Sequence, residues 1–288
     1  MNPPTVTTRL VALLGTPLGH SVSPPMHNRV YQMLGMDYCY LPIEVSEEDL
    51  GAVFTGLSKM NVAGCNVTIP HKVNVMKYLD ELDPVAENIG AVNTICFTAG
   101  RAKGYNTDGL GFITSLEEES RTQVENRRFF VVGAGGAAKA ICMTLAHRRA
   151  AKIYICNRTL EKAAALADRI NSRVTNCSEP VLYSPTAQKK AIAESDVIIN
   201  CTSLGMYPDV SSLPLDPSFI TSRHVVADIV YNPRLTRLLK EAEKRGAGIL
   251  PGLGMLVYQG AAAFKLFTGV DPLVDEMYAE ASKMMDKK

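Results

Sequence analysis

The segment VVGAGGAAKA, residues 131–140, constrains this chain more than any other stretch. An apolar run, FFVV, meets Gly133, Gly135 and Gly136 and then opens into an Ala-rich helical pattern, with Ala138 where the third small residue of a dinucleotide-binding turn belongs. Gly133 permits a tight turn, Gly135 lets a pyrophosphate approach the backbone, and Ala138 allows close packing of helix on strand. The free N–H groups of the helix start then face anionic phosphates. A glycine-rich turn alone would be no more than a flexible loop. Its place between strand and helix is what points to a dinucleotide.

The next apolar run, KIYIC, ends in Asn157-Arg158-Thr159, about 20 residues past the glycines, where an NAD-specific site carries an acid for the ribose hydroxyls. Here there is no acid. Arg158 offers a planar fork suited to a 2′-phosphate and to stacking on adenine, and Lys162 follows one helical turn later. NADP is therefore the expected cofactor, with NAD as a weaker alternative.

A length of 288 residues predicts two domains, and short apolar runs alternating with amphipathic stretches predict βα units on largely parallel sheets. Strands are expected near 9–15, 38–45, 62–67, 92–97 and 102–106, with helices near 24–34, 47–59, 71–80 and 108–119. The Ala99-Gly100 pair suggests a hairpin inside a mixed sheet. The polar stretch from Glu117 to Arg128 marks the boundary, placing a first domain at 1–120 and a doubly wound nucleotide-binding domain at 121–253. In the latter, helices are expected at 136–149 and 160–171, with strands near 196–201, 224–230 and 248–250. Two final helical patterns, about 254–267 and 272–286, are expected to complete the first domain. Lys+Arg 30 against Asp+Glu 29 leaves no basic excess for a nucleic-acid partner, and no apolar run approaches the roughly 20 residues of a membrane span. The N-terminus shows no secretory pattern. The seven cysteines lack any CxxC pair and the five histidines lack ligand spacing, so a reducing cytoplasm and no metal are expected.

The first domain carries the chemistry. In GTPLGHSVSPPMHN, Ser21 and Ser23 lie two apart ahead of a Pro-initiated helix, and alternate positions of an extended segment face one ligand. Helix capping would account for Ser23 but not Ser21. Asn66 and Thr68 repeat the alternation, and Lys72 follows in the first turn of the predicted 71–80 helix, where a cation opposes the helix dipole. Asn93 follows a strand, and Gly104-Tyr105-Asn106-Thr107-Asp108-Gly109 ends another at a helix start, where Asp108 has a plain capping role available. Each residue alone reads as structural; grouped at strand ends they describe a site for a polyhydroxylated ligand.

The blocks GxPxxHSxSPxMHN, NVTxPxK, GAVNT, GYNTDG, GAGGAA, NRT, NxTxxGM, YNPxxT and LxxQGxxxF run from Gly15 to Phe264, and in this order the chain resembles the shikimate dehydrogenases. The resemblance implies an α/β fold: an N-terminal α/β substrate domain, a Rossmann NADP domain, and C-terminal helices (254–288) returning to the first domain. It implies reversible hydride transfer between NADPH and 3-dehydroshikimate, with Lys72 and Asp108 catalytic. Ser21, Ser23, Asn66, Thr68, Asn93 and Gln259 would bind shikimate, with Tyr231 at the rim. Gly133, Ala134, Gly135, Gly136, Ala137, Asn157, Arg158, Thr159, Lys162, Thr202, Ile229 and Gly252 would hold the cofactor. The alternatives are a quinate/shikimate dehydrogenase using NAD or NADP, and a non-catalytic NADP-binding regulator, which would not need both Lys72 and Asp108. The expected partners are small molecules, with a homodimer among the assemblies allowed.

Overall fold

The computed structural model describes residues 4–19 and 21–286. By its contacts the chain divides into two units, 1–107 with 257–288, and 108–256.

The first unit begins with β1 (Arg9–Gly15), α1 (Ser23–Met33), β2 (Tyr38–Glu44), α2 (Leu50–Ser58) and β3 (Val62–Val67). A 3-10 helix (Asn74–Tyr78) leads to β4 (Glu81–Leu82), α3 (Pro84–Ile89), β5 (Thr94–Thr98) and β6 (Arg101–Tyr105). The strands form one sheet in the order β2-β1-β3-β5-β6-β4. β1 runs parallel to β2 and β3, while β5 is antiparallel to both β3 and β6. The hairpin joining β5 and β6 turns through Ala99 (φ 50°) and Gly100 (φ 76°), the two left-handed residues that a twist-matched two-residue turn needs. Ala12, Leu14 and Cys65 of the sheet pack with Phe54 and Leu57 of α2 in one apolar core.

The helix expected over 71–80 is not α-helical. His71–Val73 form turns and only Asn74–Tyr78 coil, as a 3-10 helix with bonds such as Met76 N to Val73 O (3.2 Å). Val73, Asn74 and Val75 are poor helix formers, and the Asn74 amide donates instead to Glu47 (2.9 Å). Lys72 therefore opposes no α-helix dipole, and that argument for its function falls away. Likewise Ser23 is the first residue of α1, so 21–23 is not one extended segment. Ser21 serves the helix start, its Oγ accepting from the Ser23 N–H (3.3 Å).

The second unit comprises α4 (Asp108–Glu119), β7 (Arg128–Val132), α5 (Gly136–His147), β8 (Lys152–Cys156), α6 (Leu160–Arg173), β9 (Ser178–Val181), α7 (Pro185–Ala193) and β10 (Val197–Asn200). It continues through β11 (Val225–Asp228), α8 (Arg237–Glu243) and β12 (Gly248–Leu250). Its sheet order, β12-β11-β10-β7-β8-β9, is wholly parallel and places the first strand beside the fourth, the doubly wound arrangement. Phe130, Val132, Ile198 and Val226 are buried in its core, as near-continuous apolar strands must be when helices cover both faces.

The chain ends with α9 (Leu253–Thr268) and α10 (Val274–Asp286). In the first unit α10 packs on α1, and Phe264 of α9 stacks on Tyr31 of α1 at 5.0 Å between centroids. Gly260 faces α1 beside this pair, where a Cβ would lie 2.5 Å from the Met26 methyl, the far end of a flexible side chain. Phe264→Ala should destabilise the protein by about 3–5 kcal/mol, since a fully buried ring would leave a cavity. Urea unfolding measures this, and a loss under about 1 kcal/mol would show that α9 does not anchor the unit.

Candidate active site

In the first unit, backbone hydrogen bonds draw the sequence blocks together at one end of the sheet. Thr68 N donates to Leu14 O (2.8 Å), Val67 N to Asn93 O (2.8 Å), Val92 N to Lys72 O (2.8 Å) and Asn93 N to Tyr105 O (3.0 Å). The loop before α1 is held by Leu18 N donating to the Glu44 carboxylate (2.7 Å). Ser21, Asn66, Thr68, Lys72 and Asn93 thus belong to segments tied to one another by main-chain bonds.

Their side chains differ in what they have left to offer. Asn93 is buried, and its Oδ1 accepts from Thr107 N (2.8 Å), Thr94 Oγ1 (2.9 Å) and Thr107 Oγ1 (3.3 Å). Its Nδ2 donates to Thr107 Oγ1 (3.0 Å) and lies 3.5 Å from Gln259 Oε1. Asn66, also buried, donates to Asn93 O (3.1 Å) and Thr94 Oγ1 (3.0 Å) and accepts from the Tyr40 phenol (2.8 Å). The half-buried Thr68 hydroxyl has no protein partner among the described residues, and Lys72 is also half-buried. Gln259 reaches the cluster from α9. Tyr40, Thr94 and Thr107 were not singled out from sequence; the polar residues beside Asn93 and Asp108 in their blocks were the available signal.

In the second unit Asp108 is the first residue of α4, inside the helix rather than ahead of it, and is buried. A carboxylate there is favoured by the helix dipole. Gly133 has φ +117°, and a Cβ on it would meet Cys201 O, just past β10, at 2.8 Å, so this turn between β7 and α5 admits only glycine. Gly135 caps α5 without any side-chain bond, and a Cβ on Gly135 or Gly136 would meet nothing within 4 Å. Open N–H groups at a helix start, with nothing filling the space before them, fit a pyrophosphate. Ala138 is fully buried where α5 meets the sheet, and Ala134 is buried in the turn. At the end of β8, Arg158 and Lys162 are exposed and make no ion pair among the described residues, while the Asn157 amide closes the turn onto Thr159 O (2.9 Å). No acid stands there, so the residues present fit a phosphorylated ribose.

Thr202, Ile229, Tyr231 and Gly252 adjoin a buried framework. The Thr202 hydroxyl donates to Asn200 Oδ1 (2.7 Å) and accepts from Leu204 N (3.2 Å), leaving mainly its backbone for a ligand. A Cβ on Gly252 would sit 2.6 Å from the Ile229 carbonyl, so the absent side chain lets these two segments touch. Asp228 accepts from Asn200 Nδ2 (3.0 Å), Val230 N (3.0 Å) and Thr236 Oγ1 (2.7 Å), joining the loops after β10 and β11. Burial outweighs those donors and pushes its carboxyl up to about 6. Desolvation also raises the Tyr231 phenol, leaving it protonated.

Because the folded Asp228 pKa lies above the unfolded value, its contribution to stability is fully present below about pH 4 and is lost as pH rises through about 6. Asp228→Asn should remove that slope. Between about pH 5 and 7.5 the urea stability of the variant should gain on the wild type by on the order of 1 kcal/mol, and a difference independent of pH would contradict the assignment.

Three family models match the chain. They are the shikimate dehydrogenase substrate binding domain over residues 13–95, shikimate / quinate 5-dehydrogenase over 115–207, and the shikimate 5'-dehydrogenase C-terminal domain over 252–281. The chain is 44% identical over 266 residues to a shikimate dehydrogenase (NADP⁺) of Methanosphaera stadtmanae, covering 92% of this chain and 93% of that one. Among solved structures, a shikimate dehydrogenase in complex with NADP⁺ superposes with a TM-score of 0.91 at 40% identity, covering 98% of each chain. A shikimate 5-dehydrogenase from Listeria monocytogenes, in complex with shikimate and NAD, gives a TM-score of 0.91 at 38% identity over 96% of this chain and 97% of that one.

Proposed function

This chain belongs to the shikimate dehydrogenase family, and on that premise we propose that it interconverts shikimate and 3-dehydroshikimate with NADP as cofactor. The observation that carries the reading is the polar cluster of the first unit, where amides held by protein hydrogen bonds share the strand ends with the Thr68 hydroxyl, which has no protein partner among the described residues. Such a surface suits a small ring bearing several hydroxyls better than an apolar ligand.

When bound, the dinucleotide supplies hydride transfer to and from the nicotinamide ring. Gly133, Ala134, Gly135, Gly136 and Ala137 would hold its pyrophosphate, Asn157, Arg158, Thr159 and Lys162 its 2′-phosphate and adenosine, and Thr202, Ile229 and Gly252 the remainder. The protein's own tasks are to orient the two reactants and to handle one proton. Ser21, Ser23, Asn66, Thr68, Asn93 and Gln259 bind the carboxylate and hydroxyls, with Tyr231 at the rim. Lys72 gives a proton to the developing alkoxide in the reducing direction and takes it back in the other, and Asp108 serves as its orienting acid. Seven free cysteines, five of them buried, fit a reducing cytoplasm.

Lys72→Met should lower kcat by at least about 100-fold while changing the KM for shikimate far less, as removal of a proton-handling group does. Near-normal kcat in a variant with native circular dichroism would return Lys72 to a structural role. For the cofactor, Arg158→Ala should raise the KM for NADP⁺ about 10- to 150-fold and the KM for NAD⁺ far less, since a charge-assisted bond to the 2′-phosphate is lost. Equal changes for both would mean that Arg158 touches adenine without reading the phosphate.

A further inference from the structure

Asn66 has a fixed inventory of hydrogen bonds. The Asn93 carbonyl can only accept, so the Asn66 atom 3.1 Å from it must be the NH₂, and this sets which way the amide points. The second N–H goes to Thr94 Oγ1 at 3.0 Å. Both donors are therefore spent inside the protein. The oxygen faces the Tyr40 phenol at 2.8 Å, which occupies one lone pair and leaves one.

Tyr40 reaches this position from β2, across β1, to β3. The ring is fully buried and stacked on His27, with centroids 4.4 Å apart and an interplanar angle of 20°. Burial drives the His27 pKa down to about 3, so the stack stays uncharged in ordinary buffers. Desolvation holds the phenol far above its usual range, so its proton is always present, and the Ser23 hydroxyl lies beside the same oxygen. Nothing about the sheet requires a phenol oxygen here. Phenylalanine would fill the same space and stack on the same ring.

We propose that Tyr40 is a positioning residue for the substrate: with both Asn66 N–H groups spent on Asn93 O and Thr94 Oγ1, its phenol fills one lone pair of Asn66 Oδ1 and leaves a single, directed lone pair to accept from one ring hydroxyl of shikimate. The inference rests on the reading of this cluster as the shikimate site. It assigns Tyr40 no contact with the substrate. Its proposed effect passes through Asn66 and falls on the hydroxyl that Asn66 holds; the double variant below separates this from any route through Ser23.

The test uses Tyr40→Phe, which deletes one oxygen and keeps the ring. Initial rates are measured with NADP⁺ and three substrates: shikimate and the two analogues that each lack one of its non-reacting ring hydroxyls. Wild-type turnover of shikimate is the control, and its absence would remove the functional reading itself along with this inference. Given that turnover, Y40F should raise the KM for shikimate about 3- to 10-fold, the range for one neutral hydrogen bond, with kcat within about twofold. The same loss should appear with one analogue and be absent with the other, the one lacking the hydroxyl that Asn66 accepts. A merely structural role would lower all three substrates alike. Either that uniform loss or an unchanged KM overturns the proposal. Asn66→Ala provides the second arm: it should single out the same analogue, and adding Y40F to it should change nothing further. A further 3-fold or greater loss in the double variant would show that Tyr40 acts by another route. Should Y40F fail to fold, N66A alone decides, because a loss spread evenly over the three substrates contradicts an acceptor committed to one hydroxyl.

Discussion

A side-chain amide taken out of water must satisfy its donors and acceptors, and leaving one unpaired costs more than a made bond contributes. Asn66 and Asn93 meet that requirement through each other's segments: the Asn93 carbonyl and the Thr94 hydroxyl accept from Asn66, and Asn93 in turn takes up Thr107. The bonds cross β3, β5 and the end of β6, so satisfying two amides also fixes the relative placement of three strand ends. Networks of this kind are rigid when complete and costly when broken. They hold the neighbouring Thr68 segment in place without its hydroxyl having to spend its own bonding capacity.

The second unit solves a parallel problem with different means. Its first turn depends on the absence of a side chain at Gly133, where the backbone of Cys201 fills the space, while the space around Gly135 and Gly136 is open. The following loops are ordered by Asp228 and Asn200, a buried acid and amide that bond almost entirely to backbone and hydroxyl partners nearby. The motif residues Asn200 and Thr236 are therefore framework. They shape the strand ends where Thr202, Ile229 and Tyr231 are displayed.

Much of this was legible in the residues. The glycine turn, the alternation of strand and helix and the Ala99-Gly100 hairpin are encoded locally, by backbone freedom or apolar period, whereas the return of α9 and α10 to the first unit is a long-range feature that the family resemblance implied. What escaped had competing local signals. β9 carries Pro180 and reads as broken, which an edge strand tolerates. α7 has few apolar residues but is announced by Ser184, whose side chain caps Ala187 N, and by Pro185. The 71–80 segment looks helical by period and yields to β-branched residues and Asn74. Tyr40 could not be picked out, because its role depends on a partner 26 positions away on a strand that is not its neighbour.

The account as a whole stands on what the chain turns over. The direct measurement is the initial rate with shikimate and with quinate, each paired with NADP⁺ and with NAD⁺. Shikimate with NADP⁺ should give the highest kcat/KM of the four, because the β8 end presents Arg158 and Lys162 in place of an acid and the family relationship assigns the ring. A higher kcat/KM for quinate with NAD⁺, or tight binding of NADP⁺ with turnover of neither acid, would contradict it.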